Sequence, residues 1–103
     1  YNKMQIDGYM CDVMDIEDLT SKWAAFGWFV QRVDGHDVAA IDQAIERAKA
    51  EPHRPSMIVL DTVKGKGAFF AEGKLSSHNM RVDYETALEA IARLDAEEQG
   101  GAK

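Results

Sequence analysis

The sequence holds one cysteine and two prolines, and it contains no long apolar run. With Cys11 alone, no disulfide can form inside the chain, and a reducing, cytoplasmic setting is expected. Cys11 itself reads as a small buried or loop residue, because a reactive thiol needs an electropositive surrounding. A bilayer-spanning helix needs ~18 consecutive apolar residues, and no stretch approaches this, so no membrane partner is expected. The opening residues lack a basic-then-apolar leader, so nothing marks secretion. Positive charge is also short: 12 Lys and Arg against 18 Asp and Glu, a net charge of −6. That balance argues against nucleic acid and anionic membrane surfaces as general partners. The three histidines are not spaced as a zinc site. Neither a nucleophile elbow nor a Ser-His-Asp pattern can be read.

What is present suits a folded chain. One hundred and three residues allow one modest domain or part of a larger one, and a hydrophobic share of 46% is ordinary for a globular core. "DVMDIEDLTSKWAAFGW" reads as a helix capped by Asp15, with Glu17 and Asp18 in its first turn. Ile16, Leu19, Trp23 and Phe26 would form its apolar face, and Gly27 its left-handed end. "WFVQRV" has the β-branched and aromatic content of a strand. After the turn "DGHD", residues Val38, Ile41, Ile45 and Ala48 mark the inner face of a second helix, which Pro52 and Pro55 end. "SMIVLDTV" carries consecutive rather than alternating apolar residues, the pattern of a strand covered on both faces. A long loop over 64–80 follows, then a helix capped by Asp83 with Tyr84, Leu88, Ile91 and Leu94 facing the core. "GGAK" reads as a frayed tail.

Strand end, helix, strand, helix, strand, loop and helix form an alternation that predicts a parallel α/β sheet with helices on its faces. Ligands bind such sheets beyond the carboxyl ends of the strands. Two polar segments lie there: the opening "NKMQIDG" and the loop 64–80. Asn2 offers a neutral, hard oxygen suited to Mg²⁺ or Ca²⁺, or it caps a turn before Asp7-Gly8. "KGKG" could cradle an anion, though it lacks the full phosphate-loop spacing, or it is a solvated basic turn. His78 stands in a loop longer than a compact domain needs, where it could donate to a phosphate or shuttle a proton. His36 reads as a local turn residue and His53 as surface. The residues alone thus indicate a candidate metal and anion crevice without naming a reaction.

Taken together, "NKMQIDG", "EDLTSKWAAFGWFVQRVDGHD", "PSMIVLDTVKGKG" and "SSHNM" resemble the thiamine-diphosphate-binding half of transketolase. The similarity runs from Tyr1 to about Leu94 and is nearest to split transketolases, where this half is a separate subunit. It implies a three-layer α/β sandwich with a parallel sheet and helices on both faces, present here as a partial domain over 1–97 followed by a flexible tail over 98–103. It further implies ketol transfer from a ketose phosphate to an aldose, with thiamine diphosphate and Mg²⁺ or another divalent cation such as Ca²⁺. By this resemblance Asn2 and the Met4 carbonyl hold the metal, and Ile6 packs on the thiazolium ring. His78 would reach both the diphosphate and the substrate. The partners implied are sugar phosphates and a pyrimidine-binding domain or C-terminal subunit, in a homo- or hetero-oligomer. The family's upstream Gly-Asp-Gly is not among these residues, so the chain reads as a fragment whose own activity is not expected. A deoxyxylulose-phosphate synthase-like thiamine enzyme and a non-catalytic α/β fragment are the alternative readings.

Overall fold

The computed structural model describes residues 1–6 and 8–100, arranged in two compact units that divide between Thr62 and Val63. In the first unit the chain opens with a hairpin of two short strands, β1 (Met4–Gln5) and β2 (Gly8–Tyr9), paired antiparallel with Met4 opposite Tyr9. A single-turn helix, α1 (Met10–Val13), follows. The sequence predicts only the end of a strand and an Asp-Gly turn here; Asp7 lies outside the described residues, and the hairpin and α1 are additions. Too few residues take part in either element for periodicity to register.

The next helix begins later than expected. It is α2 (Leu19–Ala25), capped by Asp18 and not by Asp15. Asp18 Oδ1 accepts from the Thr20 N–H at 3.0 Å and from the Thr20 hydroxyl at 2.5 Å, and Oδ2 accepts from the Ser21 hydroxyl at 2.5 Å. Asp15 instead accepts from the Glu17 N–H at 2.8 Å, holding a turn in which Glu17 has φ 53°. Two Asp residues three apart competed for one cap, and the one with hydroxyls in the following turn took it. The helix ends as expected: Gly27 has φ 84°, its N–H donates to Ala24 and that of Trp28 donates to Trp23, a double C-terminal closure. Trp23 meets Trp28 edge-on at 4.8 Å between ring centroids. Phe26, expected inside, is 80% exposed.

Strand β3 (Phe29–Asp34), helix α3 (Val38–Lys49) and strand β4 (Ser56–Asp61) form the expected parallel crossover, in register from Phe29 opposite Ser56 to Asp34 opposite Asp61. Asp37 caps α3 through the Ala40 N–H at 3.0 Å. The helix turns Ala44, which is fully buried, toward the strands, while Val38 and Ile45 are exposed. The inner stripe is therefore Ile41, Ala44 and Ala48, offset from the expected one. Its position follows from buried Gln31 on β3, whose amide donates to the Ala44 carbonyl at 2.8 Å and accepts from Arg47 Nε at 2.6 Å. Val59 on β4 completes this small core.

β4 has a further neighbour. The Tyr1 nitrogen donates to the Leu60 carbonyl at 2.6 Å, and the Thr62 N–H donates to the Tyr1 carbonyl at 3.1 Å. Two bonds that straddle Asp61 in this sense are the pattern of a parallel ladder. Tyr1 thus continues the sheet on the side of β4 away from β3.

In the second unit a run of turns leads to a 3₁₀ helix, Leu75–Asn79, inside what reads from sequence as loop. Helix α4 (Tyr84–Gly100) is anchored by Asp83, which accepts from the Thr86 N–H at 2.8 Å. Its expected core residues Tyr84, Leu88, Ile91 and Leu94 are all exposed to 45% or more, and Ala90 is the buried one. Arg93 lies over the Phe69 ring at 3.9 Å from its centroid, on the same helix face. Residues 101–103, the greater part of the "GGAK" tail, lie outside the described residues.

Candidate cofactor site

Asn2 sits one residue beyond the ladder position of Tyr1, at the carboxyl end of the parallel strands. Its side-chain oxygen accepts from the Met4 N–H at 2.9 Å, closing a turn over Lys3, which has φ 62°. Both readings of Asn2 are therefore compatible. An amide oxygen has two lone pairs, and the turn uses one. Asn2 Oδ1 and a backbone carbonyl at Met4 make a neutral, hard oxygen pair of the kind Mg²⁺ and Ca²⁺ accept when a ligand brings the charge. Among the described residues no group of three or more His, Cys, Asp or Glu side chains could hold a metal by itself.

Ile6 lies in the next turn, between β1 and β2. Its backbone is left-handed, with φ 48°, and its side chain is 51% exposed. A β-branched residue in that region is strained, and such strain persists where the surroundings impose it. The hairpin thus holds an apolar side chain out toward solvent.

Behind this turn lies a charged row that sequence reading missed. Arg32 on β3 grips Asp61 at the end of β4 side-on, with Nε to Oδ2 at 2.6 Å and Nη2 to Oδ1 at 2.7 Å. The same guanidinium stands over the Tyr1 ring, 5.2 Å from its centroid. The Arg32 hydrogen bonds hold the Asp61 carboxyl below its ordinary range, helped by the charges of Arg32 and Lys3, and Arg32 is raised in turn. Only the register of the two strands reveals the pair, since 29 residues separate its members.

In "DGHD", Asp34 accepts from the His36 N–H at 2.8 Å and the Gly35 N–H donates to the Asp61 carbonyl at 2.7 Å. His36 is thus part of the local turn, and His53 is exposed.

The remaining candidates belong to the second unit. His78 is exposed on the 3₁₀ turn. In "KGKG", Gly65 and Gly67 have φ 71° and 85°, and the turn is closed by Glu72. One Glu72 oxygen pairs with Lys66 Nζ at 3.1 Å, and the other accepts from the Gly67 N–H at 3.0 Å. A carboxylate therefore already occupies part of what reads from sequence as an anion cradle. Asn2 and Met4 are joined by one turn, and Ile6 stands in the separate turn between β1 and β2; His78 and "KGKG" belong to the second unit.

Comparison with known proteins decides the family. Residues 1–96 match the profile described as transketolase, thiamine diphosphate binding domain. The chain belongs to the transketolase family. Within it, the chain is 54% identical over 97 residues to the 6-deoxy-6-sulfo-D-fructose transketolase subunit of Clostridium sp. (strain MSTE9), covering 94% of this chain and 35% of that protein. It is 30% identical over 106 residues to an apulose-4-phosphate transketolase subunit of Phocaeicola vulgatus, covering 96% of this chain and 38% of that one. Among solved structures, transketolase from Campylobacter jejuni superposes with a TM-score of 0.76 at 30% identity, over 97% of this chain and 15% of that one. The fold is thus the thiamine-diphosphate-binding α/β fold of transketolase, as a partial domain. The chain spans about a third of the length of the transketolase subunits it matches.

Proposed function

We propose that this chain is part of a transketolase subunit that moves a two-carbon ketol unit from a ketose phosphate to an aldose acceptor, acting with a pyrimidine-binding domain or partner subunit in an oligomer. The observation that carries this reading is the match to the thiamine-diphosphate-binding domain over 1–96, with relatives that are themselves named as subunits. Thiamine diphosphate, when bound, supplies the carbon chemistry, and the protein supplies binding and orientation. Asn2 Oδ1 and the Met4 carbonyl would hold Mg²⁺ or another divalent cation such as Ca²⁺ against the diphosphate. Ile6, exposed on its strained turn, would pack on the thiazolium ring. His78 would donate to the diphosphate and to the sugar.

A second reading concerns the substrate alone. The relative at 54% identity is named for a sulfonated fructose, which favours a donor whose terminal anion is a sulfonate. The test uses the whole subunit with its partner, the cofactor and Mg²⁺. Given a ketose phosphate or 6-deoxy-6-sulfo-D-fructose with an aldose, mass spectrometry should show the acceptor lengthened by two carbons. Consumption of pyruvate without ketol transfer would support the deoxyxylulose-phosphate synthase-like alternative. Inertness toward every donor would support the non-catalytic one.

A further inference from the structure

Arg32, Asp61 and Tyr1 lie on one face of the sheet. Asp61 is straddled by the two backbone bonds of Tyr1, so their side chains share one face of the sheet. Arg32 lies opposite Val59, two positions before Asp61 on that same face, and reaches forward to grip the carboxylate with both nitrogens. Its flat guanidinium then covers the Tyr1 ring. A lysine could not do both, because side-on pairing and stacking need the planar fork. Tyr1 is therefore held by its backbone on β4 and by its ring under Arg32, and the next residue is Asn2, whose oxygen fixes Met4.

We propose that the Arg32–Asp61 pair is a positioning device: by clamping Tyr1 it sets the placement of Asn2 and Met4 for a divalent cation. This rests on the reading of Asn2 and Met4 as metal ligands. The pair is a third exposed, with side-chain exposures of 37% and 35%, and exposed pairs add little to stability. It should therefore act on ligand geometry more than on folding. Residues supporting metal ligands from behind commonly change affinity ~10–100-fold when lost, and an indirect clamp belongs at the low end.

The test measures Mn²⁺ binding to the whole subunit–partner complex with thiamine diphosphate, by electron paramagnetic resonance, alongside the thermal midpoint without metal. Arg32→Leu and Asp61→Asn should each weaken Mn²⁺ about tenfold and leave the metal-free midpoint nearly unchanged. The double variant should cost no more than either single one, as expected of residues that act as one unit. Arg32→Lys should recover only part of the affinity. Unchanged Mn²⁺ affinity in both single variants overturns the proposal, as does a loss matched by a fall in the metal-free midpoint. Asn2→Ala separates the two readings. If it abolishes Mn²⁺ binding while Arg32→Leu does nothing, only the clamp fails; if Asn2→Ala also leaves binding unchanged, the ligand assignment fails and the clamp with it.

Discussion

Gln31 is a buried amide with both ends engaged, donating to Ala44 and accepting from Arg47. Truncation would leave those partners without it in a site that water reaches poorly, at a cost of about 1–3 kcal/mol. Gln31→Ala should therefore lower the urea midpoint of a protein containing this chain without changing the slope of the transition; an unshifted midpoint would show the amide to be dispensable. Asp18 makes a different kind of contribution. Its hydrogen bonds from Ser21 and Thr20 bring its carboxyl down from 3.8 to about 2. A carboxyl depressed in the folded state adds stability above its unfolded value and loses it as pH falls through the folded one. The Asp18 contribution should thus fade between pH 3.8 and about 2. Asp18→Asn keeps one capping oxygen but loses the charge and the second acceptor that Ser21 uses, so its thermal midpoint should lie below the parent's at pH 7 and fall less steeply on acidification. Identical acid profiles would remove Asp18 from the account. On the role proposed for His78, which is exposed, replacement should affect chemistry and spare the fold. In the assembled enzyme His78→Ala should lower turnover by an amount equivalent to about 1.5–3 kcal/mol, the worth of one charge-assisted contact. Full turnover in His78→Ala alongside a dead His36→Ala would reverse the roles given to the two histidines.

At the scale of elements, the strands and their junctions matter most. Gly35 follows β3, and a Cβ there would stand 2.5 Å from Thr62 Cγ2 and 3.0 Å from the Asp61 carbonyl. Thr62 is short and branched, and the carbonyl is backbone, so neither can yield easily. Gly35→Ala should cost about 1–3 kcal/mol, as overpacking does, and should disturb the end of β4 where Asp61 meets Tyr1. A thermal midpoint equal to the parent's would show that the turn relaxes freely. The parallel pair β3 and β4, the helix between them, Gly27 and Asp83 were all legible in the sequence, because each depends on local chemistry or on a consecutive apolar run. The inner faces of the helices were less so. Spacing selects Val38 and Ile45, or Leu88 and Ile91, as readily as it selects alanines, but close approach to a neighbour favours Ala44 and Ala90, the residues buried here. The start of α2 is ambiguous in sequence because two Asp residues each make a turn, and only the hydroxyls of Thr20 and Ser21 separate them. In the site, Asn2, Met4 and Ile6 could be named from resemblance; Asn2 and Met4 share one turn, and Ile6 stands in the next. The Arg32 clamp and the Glu72 closure of "KGKG" could not, since each joins residues whose proximity depends on the fold.

For the molecule as a whole, the donor set and the share of the family spanned point the same way. Mg²⁺ demands near-octahedral oxygen coordination and sheds water reluctantly. Asn2 and Met4 offer neutral oxygens, and among the described residues no cluster of acidic or imidazole side chains supplements them. The Gly-Asp-Gly that the family resemblance places upstream is not in the 103 residues. Lys66, which could draw in a diphosphate, is already paired with Glu72. The net charge of −6 opposes a polyanion at long range, within the reach that salt allows. The chain spans 35% of the Clostridium subunit, so most of that relative has no counterpart in these residues. Calorimetry on this chain alone, titrated with thiamine diphosphate in Mg²⁺, should therefore give no saturable heat at micromolar cofactor, while the whole subunit with its partner should bind. Micromolar binding by the chain alone would mean that Asn2, Met4 and their turn suffice for the clamp, and that charge for the metal need come from the diphosphate only.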